Sequence, residues 1–104
     1  MQDHIFVESR TVTAGEDTAG LRVQCGFQPS AVEILNRTTG AVTKWNKGMP
    51  AASRFTLSTE AVAAAYAASG GITSQPGDRD YAPGFTLDQG LCTSTQVLDI
   101  TAWR

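Results

Sequence analysis

The side chains of this chain that could ligate a metal, attack a bond or move a proton are few and widely spaced. His4 is the only histidine. An imidazole acts in nucleophilic catalysis when a Ser or Cys lies within its hydrogen-bond reach, and zinc needs several nitrogen or sulfur ligands converging on one point. His4 offers neither arrangement and reads as a frayed terminal residue. Asp78, Asp80 and Asp88 lie close together in the sequence, and carboxylate oxygens suit calcium. However, Asp78-Arg79-Asp80 lacks the graded spacing and the following glutamate of a dedicated calcium loop, so a solvated polar loop is the better reading. Hydrolysis by paired carboxylates needs two acids converging in a cleft with aromatic walls, and the spacing shows no sign of one. The residues therefore predict a chain that is not an enzyme, with no catalytic residue, no metal and no cofactor.

Cys25 and Cys92 are too few for a disulfide framework. No basic segment followed by an apolar one opens the chain, and no apolar run approaches the roughly 20 residues of a membrane helix. Both thiols are expected to be reduced, as in a protein made in a cytoplasm, and to sit inside as small hydrophobes. A Cys25–Cys92 bridge requires their two strands to be neighbours.

Binding by adhesion leaves a different signature, carried here by aromatic and apolar residues. Phe27, Phe55 and Phe85 read as core. Trp45 and Trp103 lie near segment ends and are expected to be partly exposed, either as anchors for another protein or sugar, or as caps on a small core. Candidate partner contacts are Ile5, Phe6, Val7, Trp45, Tyr66 and Tyr81. Charged residues make up only 17% of the chain, against the roughly 25% usual in soluble domains. Such a surface suits a protein packed against neighbours as well as an ordinary uncharged one. The net charge is −2, and the eight Lys and Arg form no run. Nucleic-acid binding is not expected.

The elements that must position these residues are mostly extended. Residues 4–13 favour a strand with Ile5 and Val7 on one side and Phe6, Glu8 and Arg10 on the other. Neither side is cleanly apolar, as expected of an edge strand or one that pairs with another chain. A loop follows over 14–20. Leu21, Val23, Cys25 and Phe27 alternate with polar or small residues in a half-buried strand. Gly26 to Asn46 reads as a corner, a strand, a Thr-Thr-Gly turn and a second strand. Ser53 to Leu57 is a short strand with Phe55 and Leu57 on one side. The Ala-rich run, about 59–69, has the composition of one short helix, with an irregular or extended segment as the alternative. Gly71 to Gly84 reads as a long loop. Phe85 and Leu87 open another strand, and Thr95 to Trp103 closes the chain with Leu98, Ile100 and Ala102 on one side. With 104 residues, the fold predicted is mainly β, a small antiparallel β-sandwich or barrel of about seven strands. Its organisation is an N-terminal strand or arm and loop over 1–20, and one β-rich domain over 21–104.

Three ordered stretches within 21–104 resemble a known group. They are Gly26-Phe27-Gln28-Pro29 running to Asn36 and on to Trp45-Asn46-Lys47-Gly48-Met49; Gly70-Gly71-Ile72-Thr73; and Pro83-Gly84-Phe85-Thr86-Leu87 with the tail Ala102-Trp103-Arg104. This set is similar to small structural proteins of tailed bacteriophages, of the capsid decoration (cement) or head-fibre type. The resemblance implies a β-rich virion subunit on the capsid surface, binding the major capsid protein and often trimeric. No catalytic residues come with it. It also implies that the N-terminal strand is an arm for a capsid edge strand, removable with residues 1–12 without unfolding the domain. Residues Ala61 to Ala68 would then pack near a threefold axis. A tail- or fibre-associated subunit is one alternative. A carbohydrate-binding module stacking sugar on Trp45, Tyr66, Tyr81 or Trp103 is another.

Overall fold

Short runs of alternating side chains, broken every few residues by Gly, Pro and Asn, leave this chain little choice but extended segments joined by tight turns. The computed structural model describes residues 5–15, 20–57 and 65–104. In it the strands are β1 (Ile5–Thr11), β2 (Leu21–Gln24), β3 (Ala31–Asn36), β4 (Val42–Asn46), β5 (Ser53–Leu57), β6 (Ala65–Gln75), β7 (Gly84–Leu87) and β8 (Val97–Trp103). A single 3-10 turn, Gln89–Leu91, separates β7 from β8. All eight strands form one sheet in the order β1-β8-β3-β4-β5-β6-β7-β2. Every pairing is antiparallel, and the sheet curls into a half-barrel.

Curling lets a single sheet bury one of its faces against itself. Val32 and Ile34 of β3, Leu98, Ile100 and Ala102 of β8, Trp45 of β4, Ile72 of β6, Phe85 and Leu87 of β7, and Leu21 and Val23 of β2 all lie inside. The β3–β4 hairpin is set by Asn36, whose Oδ1 accepts from the backbone N–H of Thr38 and of Thr39. The closing strand is central, between β1 and β3, so the C-terminal segment holds two other strands in place.

The curl is made largely by β6. Its first part pairs with β5 (Arg54↔Ala67, Phe55↔Tyr66), whereas Ile72 pairs with both Ser53 and Leu87. Four residues, Ala68 to Gly71, are taken up in a bulge at this corner. Gly70 has φ +73, and a Cβ at Gly71 would run into the Ser53 carbonyl. Only glycine permits backbone to pass backbone this closely.

The β-class expectation is met, with corrections of detail. The eight strands among the described residues agree with the expected number of about seven. Of the helix expected over about 59–69, residues 65–69 belong to β6; 59–64 lie outside the described residues, as does His4. Pairing with β5 on one side and β7 on the other overrides the alanine propensity. The loop expected over 71–84 shrinks to 76–83, because Ile72 to Gln75 pair with β7 and Ile72 also with Ser53 of β5. Phe55 is not core: its odd position on β5 turns it outward opposite Tyr66. Residues 5–12 are no free arm either. All of β1 pairs with β8, and Val12 is fully buried with its N–H on the Gln96 carbonyl. Removing residues 1–12 would open the core.

Candidate adhesion surface

Acid, base and metal chemistry finds little geometry here. The Asp78 carboxylate accepts from the backbone N–H of Asp80 and Tyr81, and Asp88 accepts from that of Gly90. Each acid thus braces its own turn. Among the described residues no three His, Cys, Asp or Glu side chains converge. Cys25 and Cys92 are unbridged. Burial pushes the Cys25 thiol up from its ordinary pKa, and its Sγ–H donates to the Phe27 carbonyl. A cleft of about 360 Å³ opens on the inner side of the sheet, between Ile34, Thr43, Arg54, Thr56, Gln96 and Leu98. Thr56 Oγ1 is buried there without a hydrogen-bond partner. The cleft's lining holds no nucleophile beside a base.

The outer face is different. The strand registers place Val7, Thr101, Glu33, Lys44, Phe55 and Tyr66 in one row across six strands. Val7 is 72% exposed, Tyr66 54% and Phe55 36%. Parallel to this row run Ile5 opposite Trp103, and Leu35 beside Val42. Ile5 is 59% exposed and Leu35 37%. Large apolar side chains thus face water in ordered rows, with Glu33 and Lys44 between them.

The open edge of β1 adjoins this face. The Val12 N–H bonds to Gln96 and the Arg37 N–H to Val97, so in β8 even-numbered residues turn their backbone groups to β1 and odd ones to β3. The same alternation, through the registered pairs, commits Phe6, Glu8 and Arg10 to β8. The N–H and C=O groups of Ile5, Val7, Ser9 and Thr11 point away from the sheet. Among the described residues no strand lies on that side. On the outer face Arg37 braces the strand: Nη2 donates to Asp99 Oδ1 at 2.7 Å and to Ser9 Oγ at 3.0 Å, and Nε donates to Asp99 Oδ2 at 3.0 Å. The Arg37 hydrogen bond, then that of Ser9, holds the Asp99 carboxyl below the usual range.

The six expected contact residues therefore divide. Ile5, Val7 and Tyr66 stand on the outer face. Phe6 turns inward and packs against the core. Trp45 is not partly exposed: it is 4% accessible, with Nε1 donating to the Pro50 carbonyl, because its odd position on β4 pairs it with inward-facing Val32. Tyr81 stands apart in the 76–83 loop, with the Arg22 guanidinium 4.3 Å from its ring centre. Sequence reasoning missed Phe55 and Leu35. Phe55 faces Lys44 and Tyr66, a cross-strand placement that no single segment displays.

Comparison with known protein families, with curated protein sequences and with solved structures finds no match to this chain.

Proposed function

We propose that this chain is a non-enzymatic structural subunit of a tailed-bacteriophage head, a decoration protein that adheres to the outside of the major capsid shell. The observation that carries the reading is the outer sheet face, on which Val7, Phe55 and Tyr66 stand exposed in one row with Ile5 and Leu35 exposed in the rows on either side. The ordered motifs of residues 21–104 supply the identity of the partner by resemblance. Burying such a face against a shell removes apolar area from water at about 25 cal/mol per Å². A subunit that binds only the assembled shell stabilises it by mass action. A sugar-binding module loses its best platform with Trp45 turned inside.

The test is co-sedimentation of the purified protein with expanded, undecorated heads. Saturable binding is expected, along with a higher temperature of shell disruption. A Phe55→Asp, Tyr66→Asp double variant should weaken binding about a hundredfold or more while keeping its far-UV spectrum. A folded wild-type protein that fails to bind heads, or binds isolated tails instead, would overturn the proposal.

A further inference from the structure

We infer that the open edge of β1 is a self-recognition element, joining two copies of this chain about a twofold axis into one continuous sheet. The inference rests on the edge alone and stands independently of shell binding. In β1 the outward backbone groups belong to Ile5, Val7, Ser9 and Thr11. Two antiparallel copies can exchange hydrogen bonds only if odd residues meet odd residues. That places the twofold axis on a residue rather than between two, and leaves several residues of the strand as possible centres.

Side chains then choose among the centres. A pairing centred on Glu8 sets two carboxylates face to face, and one centred on Arg10 sets two guanidiniums together. Both are unfavourable, and one centred on Val7 sets each Glu8 carboxylate opposite a Phe6 with no cation facing it. Centred on Ser9, the pairing places Glu8 of each copy opposite Arg10 of the other, twice by symmetry, with Val7 opposite Thr11 and the two Ser9 residues on the axis. Arg10 already engages its own chain. A guanidinium has five N–H donors and can serve a second carboxylate. The three hydrogen-bonded pairs, Val7–Thr11, Ser9–Ser9 and Thr11–Val7, satisfy the outward backbone groups of those three residues. The interface is isologous and closes on itself. Val7 would add its apolar surface beside the seam, extending the outer face across both copies.

The experiment is sedimentation equilibrium with native mass spectrometry on the full chain. A concentration-dependent dimer is expected. Val7→Pro removes an outward N–H that makes no bond within the sheet, so the fold tolerates it, and the dimer should disappear. Glu8→Arg should weaken dimerisation by roughly tenfold or more by facing cation with cation. Adding Arg10→Glu to it should restore the association. A strictly monomeric wild type, a trimer, a Val7→Pro dimer of unchanged affinity, or a charge-swapped double variant no better than Glu8→Arg would each overturn the inference.

Discussion

The two edges of the sheet are managed in opposite ways. β2 is four residues long, its Leu21 and Val23 point inward, and the 76–83 loop is fastened to its end. Gln24 Oε1 accepts from the Ala82 N–H, the Gly26 N–H donates to the Pro83 carbonyl, and Arg22 lies over the Tyr81 ring. β1 is seven residues long and carries Ile5 and Val7 into solvent. Among the described residues no strand lies along its outward side. Short, covered edges are how β-proteins avoid unwanted pairing. β1 is the edge on which the proposed self-pairing rests.

The comparison can be broken most severely from the β2 side. A Cβ at Gly84 would collide with the Val23 carbonyl, so Gly84→Ala should push β2 off β7 and expose Leu21 and Val23. A loss of about 3 kcal/mol is expected from such overpacking, read as a lower urea midpoint. Val12→Ala attacks the root of β1. It removes two buried methyl groups and leaves a cavity, for a loss of about 2 kcal/mol. Amide exchange in β1 should rise with it more than in β2. Tyr81→Ala should cost only about 0.5–1 kcal/mol. Its mark is faster exchange in β2 with β1 unchanged, which would show that the loop is what guards that edge.

The smallest effect concerns Asp99. Its folded-state pKa is lowered by Arg37, so its contribution is present above the unfolded carboxylate value of about 3.9 and fades as pH falls through the lower folded one. Asp99→Asn should therefore show a slightly flatter loss of stability below pH 4 than wild type. Urea titrations at pH 6 and pH 3 measure the difference. The pair is exposed, so the effect is slight.

The strands from Leu21 to Gln24, Ala31 to Asn46 and Val97 to Trp103 are legible in the chain because each alternates locally, the first closing before Gly26 and the hairpin at Asn46. β6 was not legible, since its alanines and paired glycines carry a helical and a loop signature. What makes it a strand is non-local: Phe55 and Ser53 on one side, Leu87 and Phe85 on the other. The candidate surface divides the same way. Ile5 and Val7 could be read as outward because their segment alternates without a clean apolar side. The inward turn of Trp45 and the outward turn of Phe55 depend on which face of β3 and β4 meets the core. That is settled by registers between segments, not within them.

Residue-resolved amide exchange along β1, followed as protein concentration is raised, tests the open edge most directly. In dilute solution Phe6, Glu8 and Arg10 should be protected while Val7, Ser9 and Thr11 exchange freely, and the latter three should become protected as copies associate. Uniform protection along β1 at every concentration would contradict an open, self-recognising edge.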